Sequence, residues 1–235
     1  MFSRAYKRYV LVAVSAVYML NLADRGLMTL LLQPIKQDLR LSDTQLGFLT
    51  GIAFGLFYAV LGLPVARWAD RGNRATVASL AIGLWGLTVM SCVMVTNYVQ
   101  LACARIAAAV GESGCKPPTY SLLGDYFPEP AERTRAMSVY IAGNSLASLL
   151  SFAVGGWLNE RFGWRITFFL VGIPGLLLAL LVKLTVIEPR IQMSGDRAQQ
   201  PPQPSIKAVL VTLWQRRSIP ARGPVPVCPC RDCAS

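Results

Sequence analysis

Six apolar runs, each about as long as a bilayer-crossing helix, divide this chain and set its fold class before any motif is read. A hydrocarbon core of about 30 Å takes roughly 20 apolar residues as helix. Runs of that length lie over Tyr9–Leu31, Leu46–Ala66, Ala75–Val95, Val99–Ser121, Met137–Leu158 and Ile166–Val186. With 54% hydrophobic and 15% charged residues, the chain is more apolar and less charged than a soluble domain. The expectation is an all-α membrane protein of six transmembrane helices, with the lipid bilayer as its solvent. A signal peptide would also begin with basic residues (Arg4, Lys7, Arg8) and an apolar run. This run is long, contains Asp24-Arg25 and has no clear small-residue cleavage site, so it reads as a helix that is kept.

The net charge of +11 does not point to nucleic acid, because the basic residues are scattered between the runs and form no soluble basic domain. In a membrane protein a Lys/Arg excess sets orientation. Arg4, Lys7 and Arg8, then Arg67, Arg71 and Arg74, then Arg133 and Arg135 share one side; Lys36, Arg40, Arg161 and Arg165 share the other. The bias predicts a multi-pass protein of the cell membrane with both termini cytoplasmic. The chain has no histidine, so the commonest metal ligand and neutral-pH base is missing. No paired carboxylates, Ser-His or Cys-His set stands within reach, and neither an enzyme nor a cofactor is expected. Cys92, Cys103 and Cys115 lie in apolar runs and read as small packing residues.

Asp24 and Arg25 sit deep inside the first run. An ionisable residue inside a membrane costs a few kcal/mol or more and is rarely kept without use. Asp24 lies about fifteen residues along the first helix, roughly 22 Å in, and Arg105 about six residues from the opposite end of the fourth, roughly 9 Å in. The two therefore reach similar height. Arg105, Glu112 and Lys116 fall within about 40° of one another on the fourth helix, so they share a face that must meet protein or water. This face lines a cavity toward the first helix, or locks helices together through ion pairs, and the two roles are compatible. In a cavity the carboxylates can take up protons and the guanidiniums can hold an anionic group. Glu112 is the leading titrating candidate, with Arg105 or Lys116 opposing the effect of burial. Lys116 can instead snorkel inward, helped by Pro117-Pro118 loosening the helix end. Lys183, near the end of the sixth helix, is expected only to snorkel.

The loop Ala66-Arg67-Trp68-Ala69-Asp70-Arg71-Gly72-Asn73-Arg74 resembles the signature loop of the major facilitator superfamily, G-x-x-x-D-R-x-G-R-[RK]. Asp70, Arg71 and Arg74 match. Ala66 and Asn73 replace the two glycines and Ala75 the last basic residue; Asn is the next-best residue for a left-handed turn. The D-R-x-N-R form resembles the Spinster-like branch. So do Asn21-Leu22-Ala23-Asp24-Arg25, Ser42-Asp43-Thr44-Gln45-Leu46-Gly47 followed by Gly51 and Phe54, and the run from Arg105 to Gly111-Glu112 with Ala109 at a usual glycine. Pro117-Pro118, Asp125-Tyr126-Phe127-Pro128, Arg133-Thr134-Arg135, Gly163-Trp164-Arg165, Pro174-Gly175 and Glu188-Pro189 continue the likeness, which covers about residues 9 to 190. The resemblance implies the N-terminal six-helix bundle of a two-bundle, alternating-access secondary transporter, with lipid-like or organic-anion substrates and H+ as coupling ion. It implies that Asp24, Arg25, Arg105 and Glu112 are the substrate and proton-coupling set. Asp70, Arg71 and Arg74 would form a cytoplasmic latch. Lys116 matches no motif position and is a possible cavity residue.

Gly47, Gly51 and Gly55 on the second helix, and Gly143 and Ala147 on the fifth, have the small-xxx-small spacing of close helix packing. Gly155-Gly156 is expected to add flexibility, and Trp157 and Trp164 to anchor at an interface.

Three regions are expected: a six-helix bundle over 1–187, a cytoplasmic linker with a short basic helix over 188–217, and a disordered tail over 218–235. No second bundle follows. The tail is rich in Pro, Arg, Gly, Cys and Ala, as GC-rich DNA read out of frame would be, and a frameshift near Ser218 is the expectation. Its Cys228, Cys230 and Cys233 lack paired C-x-x-C spacing and a fourth ligand, so no metal is assigned. The function expected is the N-terminal half of a proton-coupled carrier, completed by a second half or a homodimer. The alternative is a truncated product without transport, acting as a membrane binding or partner subunit.

Overall fold

The structure is a computed structural model and describes residues 2–189. The expected linker and tail, with Cys228, Cys230 and Cys233, otherwise lie outside the described residues.

Helix ends follow local chemistry. Ser3 caps α1 (Arg4–Leu39) by accepting the Tyr6 N–H at 3.2 Å. The helix runs past Leu31, through Pro34, and ends at Arg40 in a left-handed conformation (φ 50°). Ser42 and Gln45 form a reciprocal capping box that starts α2 (Asp43–Gly47). A π-helical turn, Phe48–Ala53, joins α2 to α3 (Phe54–Arg71) as one continuous rod. Asn73 departs from the left-handed turn expected of it. It is extended (φ −79°, ψ 107°), and its side chain caps α4 (Arg74–Ser91) by accepting the Thr76 N–H at 2.9 Å. Capping explains why Asn serves here, since its oxygen satisfies a free helix N–H. Asn97 caps α5 (Tyr98–Tyr126) in the same way. Pro117 and Pro118 lie within α5, which continues to Tyr126, so they do not loosen its end.

The last element, α6 (Pro130–Thr185), is two legs joined at Gly163, whose φ of 76° only glycine adopts readily. The described residues thus form six helical legs: α1, the α2–α3 rod, α4, α5, and the legs 130–162 and 164–185. Four stretches, Arg4–Leu39, Asp43–Ala69, Arg74–Met94 and Pro130–Thr185, are long and apolar enough to cross a membrane. The remaining leg, α5, carries Arg105, Glu112 and Lys116 along its length.

Two apolar clusters organise the bundle. One gathers Val10, Val14, Val17, Ile82, Leu122, Tyr126, Tyr140 and Val182, near the chain's N-terminus. The other gathers Leu27, Leu31, Ile35, Leu49, Trp85, Leu101 and Phe168. On α1 the gap between them holds Asp24 and Arg25, and on α5 it holds Glu112. Outward positions such as Val12, Ile52, Leu56, Leu87, Leu149 and Leu184 remain exposed and apolar, as lipid contact requires.

Close packing differs in part from the sequence expectation. Gly143 does face α1, with a Cβ there lying 3.9 Å from Met19 Cβ. Gly155 is a contact point rather than a flexible one, since a Cβ there would fall on Leu27 Cδ2. Gly47, Gly51 and Gly55 meet nothing within 4 Å among the described residues. Trp157 is exposed, but Trp164 is buried and donates Nε1–H to Asp38 at 3.2 Å, so Trp164 is not an interface anchor. Cys92 and Cys115 are buried, whereas Cys103 is exposed and does not pack inside.

The closest approach of a glycine to a neighbouring backbone is α5 on α4 at Gly111, where a Cβ would lie 2.7 Å from the Trp85 backbone nitrogen. Backbone cannot yield as a flexible side chain can. Gly111→Val is therefore expected to destabilise the bundle by about 1–3 kcal/mol or more, while Gly51→Ala leaves it unchanged. Thermal unfolding of the detergent-solubilised variants, followed by tryptophan fluorescence, checks the contrast.

Candidate functional site

Between the two apolar clusters, α1 and α5 exchange charges in a crossed pattern. Arg105 Nη1 donates to both Asp24 oxygens, at 3.0 and 3.3 Å, with both side chains buried. Arg25 grips Glu112 with two nitrogens: Nη2 lies 2.8 Å from Oε1, and Nε donates to Oε2 at 3.0 Å. Helix geometry explains the crossing. Neighbours on α1 point about 100° apart, and residues 105 and 112 on α5 are about two turns apart. Asp24 therefore meets the upper cation, and the long Arg25 side chain turns back to the lower carboxylate.

The expected similar height of Asp24 and Arg105 agrees with this geometry. Of the two cations expected to act on Glu112, Lys116 pairs with it and Arg105 does not. The principal partner of Glu112 is Arg25 rather than Arg105, because Asp24 already occupies Arg105; Lys116 stands second at 3.5 Å. Aromatic faces complete the layer. The Arg105 guanidinium lies 4.5 Å from the Phe168 ring centroid, and Arg25 lies 4.9 Å from Phe54 and 5.1 Å from Tyr58. Lys116 rests over Tyr58 and Tyr18 at 5.4 and 5.7 Å. Such contacts hold a cation in place without neutralising it.

A cavity of about 150 Å³ opens onto this layer, lined in part by Asp24, Arg25, Thr29, Thr50, Phe54 and Arg105. The π-helical turn supplies Thr50 to its wall. Arg25 is 41% exposed, whereas Glu112 is 1% exposed. Nε and Nη2 of Arg105 have no hydrogen-bond partner among the described residues. Three cations, Arg25, Arg105 and Lys116, face two carboxylates, Asp24 and Glu112, so the layer carries one positive charge in excess. Cavity lining and helix locking therefore coexist: Asp24–Arg105 is a buried lock, and Arg25 faces open space.

The latch residues divide. Asp70 and Arg71 stand in the last turn of α3, and what is expected of their side chains falls outside the described residues. Arg74 is fully buried and joins three elements. Its backbone N–H donates to Glu188 Oε2 at 2.7 Å and its Nε to Glu188 Oε1 at 3.1 Å. Nη1 donates to Ser121 and Nη2 to Asp125, each at 2.5 Å. Sequence reading gave Ser121, Asp125 and Glu188 no role. The available signal was that an arginine buried at a helix start needs carboxylates, and these acids end α5 and follow α6. Tyr6 and Tyr126 secure the same segment. Tyr6 Oη donates to the Thr185 carbonyl and accepts from the Ile187 N–H; Tyr126 Oη donates to the Ile187 carbonyl. Lys183 does more than snorkel, donating to Thr76 Oγ1 at 3.0 Å. At the opposite end Arg165 binds Asp38 and the Val95 carbonyl, closing the turn around Gly163. Among the described residues, no cluster of three His, Cys, Asp or Glu is placed to hold a metal.

The sequence profile of the Major Facilitator Superfamily matches residues 14–224. The chain belongs to the major facilitator superfamily. Within it the chain is Spinster-like. A solved bacterial homologue of the human lysosomal transporter Spinster, inward-facing and unoccupied, is 34% identical with a TM-score of 0.74, over 87% of this chain and 47% of that one. An MFS-type efflux pump of Mycolicibacterium smegmatis is 37% identical over 187 residues, 80% of this chain and 42% of the pump. The hexuronate transporter of Bacillus subtilis is 26% identical over 69% of this chain and 38% of its own length. A D-xylose–proton symporter, 17% identical with a TM-score of 0.64, shares the fold. The chain thus spans under half the length of the curated relatives it matches. These relatives are membrane transporters, not enzymes, and this chain is a membrane protein of their fold.

Removing Arg74 from this superfamily protein takes a buried guanidinium away from both Glu188 and Asp125. Arg74→Ala is expected to cost about 3–5 kcal/mol, as for other broken buried pairs, and Arg74→Ala with Glu188→Gln to cost less than the single change. Thermal unfolding of the two variants in detergent tests this.

Proposed function

We propose that this chain is the N-terminal half of a proton-coupled secondary carrier for an organic anion, either a small acid or a lipid-like solute. The observation that carries the reading is the excess positive charge facing the cavity, together with the unpartnered Nε and Nη2 of Arg105. A guanidinium out of water binds a carboxylate, sulfate or phosphate strongly, because its planar donors match those oxygens. Arg25 and Arg105 hold the anionic group. Asp24 and Glu112, each paired with one of these cations, take up the coupling proton when the pairing loosens. Arg74, with Asp70 and Arg71, latches one conformation on the cytoplasmic side of the cell membrane. A second six-helix half, or a second copy of this chain, completes the path.

Two probes separate the substrate classes: D-glucuronate, a sugar acid, and octyl sulfate, a lipid-like anion. Calorimetric titration of the chain in lipid nanodiscs is expected to detect binding of one of them, weakened about tenfold or more by Arg105→Ala. Binding of neither would overturn the anion reading. Binding without anion-driven proton movement in proteoliposomes would mark the chain as a binding subunit rather than a carrier. In a full-length relative, Asn at the position of Asp24 and Gln at that of Glu112 are each expected to abolish proton-driven uptake. Unchanged uptake in both would remove the coupling assignment.

A further inference from the structure

Glu112 is held by two cations that are not equivalent. Arg25 grips it through two nitrogens, and Lys116, four residues on along α5, stands off at 3.5 Å. Arg25 lines the cavity beside Arg105. Lys116 is 23% exposed and held over the Tyr58 and Tyr18 rings, with Tyr58 also under Arg25. Arg25 thus has two conflicting tasks. An anion in the cavity needs its donors, yet a carboxylate as buried as Glu112 is strongly destabilised without a cation. A movement of about 0.7 Å would bring Lys116 to the usual charge-assisted distance of roughly 2.8 Å from Glu112. The rings that hold it leave its charge unneutralised, so it stays available to Glu112.

We propose that Lys116 is the reserve cation of Glu112. When an anionic group enters the cavity and draws Arg25 away, the Lys116 ammonium closes on Glu112 and keeps the buried carboxylate paired. Lys116 is a positioning residue: it acts through Glu112 and Arg25 and does not touch the guest. The inference rests on the anion-site reading proposed for Arg25 and Arg105.

The test titrates octyl sulfate and D-glucuronate into the full chain in lipid nanodiscs. Lys116→Met is expected to weaken binding about tenfold, since Arg25 stays locked on Glu112. Lys116→Arg keeps binding near that of the unaltered chain. Lys116→Met combined with Glu112→Gln restores it, because a neutral carboxamide demands no cation. Direct contact between Lys116 and the guest would leave the loss unrestored by Glu112→Gln, and that result overturns the proposal, as does unchanged binding in Lys116→Met. A second readout needs no ligand and covers a single variant that folds poorly. Phenylglyoxal modification of Arg25, read by peptide mass spectrometry, should be higher in the double variant than in Lys116→Arg; equal or lower modification overturns the proposal. An unaltered chain that binds neither probe overturns the anion site itself, and the reserve cation with it.

Discussion

A charge withdrawn from water must find an opposite charge, and this constraint shapes the bundle from its centre outward. Asp24 and Arg105 are both nearly inaccessible and meet at 3.0 Å; Glu112 is equally buried and meets Arg25 at 2.8 Å. Each pair joins α1 to α5, so the pairs fix the separation and register of those helices. Apolar clusters pack on either side of the layer, and the Phe168, Phe54 and Tyr58 rings lie against its arginines. Residues of the same pairs that hold the helices also line a cavity. Stability and binding therefore draw on one set of charges.

Arg74 applies the same constraint at the end of the bundle where α1 begins. It begins α4, and its carboxylate partners come from the end of α5 and the residues after α6. One buried guanidinium thus ties three helix ends together, and the tyrosines at positions 6 and 126 hold the departing chain against it. The opposite end relies on Asp38, Trp164 and Arg165, where Gly163 turns α6 back on itself.

Much of this was legible in the residue order. The length of the apolar runs indicated the helices, and depth counting placed Asp24 opposite Arg105. The signature loop and its companions pointed to the superfamily. Departures came where one residue type serves two ends. Asn73 suits a left-handed turn and a helix cap, and the free N–H of Thr76 decided for the cap. Trp164 suits a membrane interface and a buried hydrogen bond, and Asp38 decided for burial. The glycines of the α2–α3 rod have packing spacing, yet no described residue packs on them.

The sequence by itself determined that the chain forms six long helices and that Arg105, Glu112 and Lys116 share one face of the fourth. These follow from the length of the apolar runs and from counting along a helix. It did not determine who pairs with whom. A long arginine side chain reaches carboxylates on several turns of a neighbouring helix, so face and height leave more than one partner open. The relative approach and rotation of α1 and α5 chose Asp24 for Arg105 and Glu112 for Arg25. That choice set Lys116 apart as the cation with room to move.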